Sequence, residues 1–422
     1  MKEIGKKPEE ALAFVQTIPP AQGKTMRGVP FEKRAEVRFG FIGVGGRGFG
    51  QLGLVLALEG ARVTAVFDKS EANARRAKEL VEKAGQPAPA LEPDWRQLCK
   101  RNDLDLVYIC SPWDFHVPQA VQAMECGKHA AVEVPAATTL AECWKLVDTS
   151  ERTRRHCIIL ENCCYGETEM MVLNMVHSGL LGTLTHGEAA YIHDLRAMLL
   201  QDSSEGLWRR EPHKTNNGNF YPTHGLGPVA QYMNIHRGDR FLRLVSMSSR
   251  EAALTEYRDA KLPADNPKRA EKYSAGDMNS SLLQTALGRT ILLQHDVVTP
   301  RPYSRTNLIA GTKGVFCDYP PRIFLDGQAT HEWQPVDGFK AQYQHPLWNE
   351  YGEQALKSGG HGGMDFIMNF RLVQTLRQGL PPDMDVYDAA AWSAPKPLSK
   401  ISVAWGSLPL PFPDFTRGNW KA

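Results

Sequence analysis

Hydrophobic and polar residues keep two different rhythms along this chain. From Val37 onward, short apolar runs alternate with stretches of helical period. Arg38-Phe-Gly-Phe-Ile-Gly-Val-Gly45 is an apolar run leading into glycines, and Phe49 to Leu58 has helical spacing. Arg62 to Asp68 reads as a second strand and Glu71 to Ala84 as a polar-faced helix. Leu104 to Cys110 is a buried strand that stops at Ser111-Pro112; Val117 to Cys126 is helical, His129 to Glu133 a strand and Leu140 to Arg152 a helix. Thr139 and Glu142 give that last helix a capping-box start. Strands and helices alternating at this spacing predict an α/β fold, a Rossmann-type doubly wound parallel sheet, up to about residue 160.

Beyond it the rhythm changes. Leu184–His193, Phe241–Ser249, Ser280–Leu287, Thr290–Val297 and Asn307–Ala310 are strand-like, with a turn at Gly288-Arg289. These predict a C-terminal α+β domain on an open, largely antiparallel sheet. Asp194 to Phe220 has no convincing period, and its Trp208, Arg209 and His213 point to a functional loop. Met364 to Leu376 is a helix preceded by Gly-Gly-His-Gly-Gly, either a hinge or a plain loop. The expected division is an arm over 1–35 lying on the domain that follows, a nucleotide-binding domain over 36–160 and a substrate-binding domain over 161–422.

Composition narrows the class. The 422 residues suit two domains, and 42% hydrophobic with 23% charged residues is the balance of a globular chain. The formal charge is +2 with scattered basic residues, so no stripe tracks nucleic acid. No run approaches the roughly 18 apolar residues of a membrane span. The eight Cys show no C-x-x-C spacing, which favours buried free thiols and no metal site. As written the chain reads as cytoplasmic, or as the mature part of an exported protein whose leader has been removed.

Gly43-Val-Gly45-Gly46-Arg47-Gly48 fits G-x-G-x-x-G, follows a strand and opens a helix. Asp68 lies about 20 residues further on, at the end of the next strand, where an acid accepts hydrogen bonds from the adenosine ribose. Its charge favours NAD over NADP, a preference that Lys69 weakens without reversing. Trp113 and His116 follow the third strand's end, where ligands sit in this fold; they line the nicotinamide or else pack locally at the next helix. Tyr221 and His224 would share a face if their segment is helical, with Pro222 in its first turn. A phenol and an imidazole together form a proton-handling pair, unless they are simply core residues.

The glycine fingerprint, the Ser-Pro…His segment and Gly127-Lys-His-Ala-Ala-Val-Glu-Val-Pro135 resemble the Gfo/Idh/MocA oxidoreductase superfamily over residues 37 to 160. Asn217-Gly-Asn-Phe-Tyr-Pro-Thr-His-Gly-Leu-Gly-Pro228, with Glu133-Val-Pro-Ala136 and His361-Gly-Gly-Met-Asp365, resembles glycoside hydrolase family 109, the NAD-dependent α-N-acetylgalactosaminidases. That likeness spans about residues 25 to 420. Dehydrogenases of the superfamily carry Lys after the Glu, where Val134 stands, and an Asp four residues before the active-site His, where Phe220 stands. An aliphatic side chain cannot hold positive charge near an alkoxide or relay a proton.

The resemblance implies a mechanism that uses NAD without consuming it. Carbon 3 of the sugar is oxidised, the ketone acidifies carbon 2, the aglycone is eliminated, water adds and the hydride returns. On this reading His224 is base or polariser at the carbon-3 hydroxyl, Glu133 and Tyr221 orient sugar hydroxyls, and Tyr165 takes the carbon-2 proton. Tyr191, Arg209 and Tyr303 correspond to sugar contacts; Asn162, with Glu133, corresponds to a cofactor contact. The rivals are a plain NAD-dependent sugar dehydrogenase and a non-catalytic protein that binds NAD and sugar. The superfamily's habit also implies a homodimer through the open sheet.

Overall fold

A computed structural model describes residues 5–328 and 330–421. The chain forms two compact units, each drawn from separate stretches of sequence. The nucleotide unit comprises Pro19–Glu167 and His345–Ser393; the sheet unit comprises the N-terminal stretch to Ile18, Thr168–Gln344 and the chain from Ala394 onward.

The nucleotide unit is a parallel sheet of β1 (Val37–Ile42), β2 (Ala61–Phe67), β3 (Ala90–Leu91), β4 (Leu106–Ile109), β5 (His129–Val132) and β6 (Cys157–Ile159), in the order 3-2-1-4-5-6. Every residue of β4, β5 and β6 is buried, as a parallel sheet covered by helices on both faces requires. The helix Leu140–Thr153 begins with the expected capping box. The helix Glu71–Lys83 is capped by Ser70 Oγ, which accepts from Asn73 N. The segment His345–Ser393 returns to this unit: the helix Met364–Gln378 packs on the helix Arg47–Leu56, and the helix Val386–Ser393 on Leu140–Thr153.

Among the described residues, the sheet unit holds nine strands. They are β7 (Leu184–Ile192), β8 (Phe241–Ser248), β9 (Asn279–Thr285), β10 (Thr290–Asp296), β11 (Leu308–Gly311), β12 (Gly314–Cys317), β13 (Arg322–Leu325), β14 (Gln334–Pro335) and β15 (Leu410–Pro411). Their order is 14-13-12-11-7-10-9-8-15, and only β7 and β10 pair in parallel. Strand alternation separates two faces. In β9, Ser281 and Leu283 are fully buried whereas Leu282 is 46% exposed, and Met247 of β8 is 65% exposed. The helices Thr223–Tyr232 and Pro395–Ala404 pack against β7 and β8.

Some expectations change. The arm divides: residues 19–35 join the nucleotide unit, but the helix Pro8–Gln16 belongs to the sheet unit and packs beside β15. The stretch from Asp194 to Phe220 is not structureless, since it contains the short helices Arg196–Leu199, Gly206–Arg209 and Glu211–Thr215. All eight cysteines are free thiols, six of them buried. No helix of the described residues is long and apolar enough to cross a membrane.

Burial also creates a pH dependence. In the nucleotide unit Phe31 packs on His129 and His156, with ring centroids 5.0 and 4.4 Å away. Burial pushes His156 down to about 4, and it does the same to His213 in the sheet unit. Above pH 6.5 both are neutral whether folded or unfolded. As pH falls from 6.5 towards 4, the unfolded chain takes up protons that the fold excludes, so stability is lost across that window. Each histidine accounts for at most about 3 kcal/mol. The melting temperature is expected to drop between pH 7 and pH 4.5, and less so in His156→Gln; calorimetry showing an unchanged gap in that variant would refute the assignment.

Candidate active site

The glycine loop joins β1 to the helix Arg47–Leu56. Gly43 has φ +83°, and a Cβ there would lie 2.9 Å from the Cys110 carbonyl group. A Cβ on Gly48 would lie 1.8 Å from the Gly43 oxygen, so neither position admits another residue. Gly45 and Gly46 differ. A Cβ on Gly45 would meet only Asn73 Nδ2, at 3.4 Å, and one on Gly46 would meet no protein atom within 4 Å. Packing gives no reason for glycine at these two positions, and close approach by a pyrophosphate supplies one. The helix that follows has no side-chain cap, which leaves its first N–H groups for an anion. Asp68 sits beside the loop, its carboxylate accepting from Val44 N and Ser70 N, both at 2.8 Å. The donor set fits a dinucleotide with free ribose hydroxyls. Arg76, unnoticed in the sequence, steadies the loop by donating to the Gly45 oxygen at 2.7 Å.

Arg47, expected among the cofactor-binding residues, is held between two carboxylates. Its Nε donates to Glu133 Oε1 at 2.7 Å, and its Nη atoms grip Asp365 at 2.6 and 2.9 Å. Asn162 Nδ2 donates to Asp365 Oδ1 at 2.7 Å, so this residue too faces the carboxylate. His361 Nδ1 lies 2.8 Å from Asp365 Oδ2. Burial works against ionisation of Asp365, yet the His361 hydrogen bond and the Arg47 charge hold it below the usual carboxylate range. The Gly-Gly-His-Gly-Gly run is a tight turn: all five residues from Gly359 to Gly363 have positive φ, between 49° and 92°. Only glycine adopts this readily, and His361 is the exception.

Trp113 and His116 tie down the loop after Glu133. Trp113 Nε1 donates to the Val134 oxygen at 3.2 Å, and the His116 nitrogens lie 2.9 and 2.7 Å from the oxygens of Pro135 and Ser111. Their polar atoms are thus committed to backbone. Tyr165 also differs from its expected role. Its hydroxyl donates to Asp383 Oδ2 at 3.1 Å, and burial followed by the Asp383 charge pushes its pKa well up. Such a phenol holds its proton, the opposite of what a base requires.

In the sheet unit, the expected sugar contacts come together. Pro222 caps the helix Thr223–Tyr232, so Tyr221 precedes the helix rather than sharing its face with His224. Gly225 brings this helix onto β7, where a Cβ would lie 2.4 Å from Ala190 N. Tyr221 therefore meets His224 at 4.8 Å between ring centroids, and Tyr191 lies 4.7 Å from Tyr221 and 5.5 Å from His224. The Arg209 guanidinium lies 4.9 Å from the Tyr221 ring centre, and Tyr303 lies 6.2 Å from Tyr191. Phe220 packs between His213 and His295. Burial keeps both histidines low, His295 well below its ordinary value, so they form a neutral floor. His193 was missed. It sits 5.1 Å from the Tyr303 ring, with Nδ1 3.4 Å from the Tyr191 hydroxyl. It lies two residues beyond Tyr191, just past the end of β7, and that period-two spacing was the available signal.

Residues 37–160 match the profile described as Oxidoreductase family, NAD-binding Rossmann fold, and residues 165–422, more than half the chain, match Glycosyl hydrolase 109, C-terminal domain. A Glycosyl hydrolase family 109 protein of Solibacter usitatus is 55% identical over 404 residues, covering 94% of this chain and 92% of that one. The chain belongs to glycosyl hydrolase family 109. A family 109 protein of Streptomyces filamentosus is 52% identical, covering 99% of this chain and 85% of its own. Among solved structures, an oxidoreductase domain protein from Kribbella flavida has a TM-score of 0.71 at 18% identity, covering 90% of this chain and all of that one. Levoglucosan dehydrogenase in complex with NADH has a TM-score of 0.69 at 18% identity, again covering 90% of this chain and 100% of its own. At such identities the likeness shows the fold. This family 109 chain is thus a glycoside hydrolase whose Rossmann unit binds NAD.

Proposed function

We propose that the protein releases terminal α-linked N-acetylgalactosamine by oxidation, elimination, addition and reduction. The observation that carries the reading is the cluster of Tyr221 and His224 with Tyr191, Arg209 and Tyr303, in a chain that binds NAD and has Val134 in place of the dehydrogenase Lys. Bound NAD supplies a reversible hydride acceptor for carbon 3 of the sugar. The glycines and Asp68 hold the cofactor. His224 takes the proton of the carbon-3 hydroxyl, and Glu133 and Tyr221 orient sugar hydroxyls. Tyr191 and Tyr303 offer aromatic faces to the ring, and Arg209 offers donors to its oxygens. A carbon-3 ketone acidifies carbon 2, so a modest base suffices for loss of the aglycone, and no carboxylate pair is needed. Tyr165 is not assigned as that base, because its phenol donates to Asp383.

The test is incubation with nitrophenyl α-N-acetylgalactosaminide without added cofactor. Nitrophenol should appear over many turnovers with no net rise at 340 nm. Net NADH formation from free sugar would favour a dehydrogenase, and bound cofactor without turnover would favour a binding protein.

We also propose a homodimer through the open sheet face. Leu282 is paired across the sheet with Val245 and Leu292, and Met247 extends the apolar stripe. A sheet face can stand in water, but a contiguous exposed apolar stripe on it marks an interaction surface. A monomeric mass by ultracentrifugation at micromolar concentration would reject the dimer.

A further inference from the structure

Glu133 is held by a chain of contacts that begins far away in sequence. Its Oε1 accepts from Arg47 Nε at 2.7 Å, and its Oε2 meets the Val134 N–H at 3.3 Å. Arg47 is gripped on its other side by both oxygens of Asp365, at 2.6 and 2.9 Å. The Asp365 side chain is 1% exposed and is pinned in turn by Asn162 and His361. A planar guanidinium engaged on two edges cannot turn without breaking charge-assisted bonds. The neighbouring position, Val134, offers no cation.

We propose that Arg47 is a positioning residue that sets the Glu133 carboxylate, and that Asp365 is the anchor that sets Arg47. The cation beside Glu133 is therefore supplied from the glycine loop and not from the position after Glu133. Unlike a lysine there, arginine stays charged throughout, so it orients the carboxylate and does not relay a proton. The motif His361-Gly-Gly-Met-Asp365 thereby acquires a structural purpose, because its tight turn delivers Asp365 to Arg47. The inference rests on the reading above in which Glu133 orients the sugar.

The experiment is a double-mutant cycle on the NAD-loaded enzyme, with a crystal structure of the Asp365→Asn variant. Asp365→Asn keeps the side chain's shape and removes its charge. In that structure the Arg47–Glu133 hydrogen bond should be broken. Against nitrophenyl α-N-acetylgalactosaminide, kcat should fall by about tenfold or more while KM moves less than about threefold, as misorientation of a reacting group produces. In a Glu133→Gln background, Asp365→Asn should add little further loss, because its effect passes through Glu133. Fully additive losses, or an intact Arg47–Glu133 bond in the variant, would overturn the proposal. If Asp365→Asn does not fold, Arg47→Lys, which keeps the charge and loses the fork, takes its place in the cycle, where losses fully additive with Glu133→Gln would overturn the proposal. If the unsubstituted enzyme hydrolyses no such glycoside, the functional reading fails, and the structure of the variant still decides whether Asp365 anchors Arg47.

Discussion

Replacing His224 by alanine is expected to abolish nitrophenol release while NAD stays bound. The imidazole lies in a ring of tyrosines, 4.8 Å from Tyr221 and 5.5 Å from Tyr191 between centroids, at the first turn of the helix Thr223–Tyr232. Removing a positioned general base lowers rates by about 100- to 10,000-fold. In this mechanism the first step also gates every later one, since elimination waits on the ketone. The groups read here as holding the cofactor, the glycine loop and Asp68, belong to the nucleotide unit, and the substitution leaves them unchanged. Cofactor content after denaturation, measured beside the rate, checks both halves. A variant retaining more than about a tenth of the activity would remove His224 from the chemistry.

The second large effect is isotopic. A reaction passing through a carbon-3 ketone must break the bond from carbon 2 to hydrogen, and water must supply its replacement. Turnover in heavy water should therefore leave deuterium at carbon 2 in most of the N-acetylgalactosamine released, with little in the recovered substrate if elimination is committed. Mass spectrometry or proton NMR of the product reads it directly. Direct displacement at carbon 1 leaves that hydrogen in place, so unlabelled product would end the redox reading of this site.

What could be read from the sequence depended on how local the signal was. The parallel sheet was legible because each strand is a short apolar run set apart by a helix of clear period. The glycine loop and Asp68 were legible because one turn and the next strand contain them. The short strands β12 to β14, of two to four residues, have too few positions to establish alternation. Arg47 shows what stayed hidden. Its place in the fingerprint is legible, but its partner Asp365 lies 318 residues away, and no local pattern records that distance. Tyr221 and His224 were paired correctly for an inexact reason, since Tyr221 reaches the imidazole from the chain before the helix.

The return of His345–Ser393 to the nucleotide unit bears on how this chain is made. During synthesis the glycine loop and the first six strands leave the ribosome long before the segment that carries Asp365. Elongation at roughly 5–20 residues per second separates them by tens of seconds at the slower rate. In that interval Arg47 and Glu133 lack the carboxylate that later fixes them, and the helix Arg47–Leu56 lacks the helix Met364–Gln378 that covers it. The nascent Rossmann half therefore waits with an uncovered apolar surface. Chaperone occupancy on translating ribosomes should persist until the segment 345–393 has emerged, and a fragment ending near residue 160 should be less soluble than the whole chain.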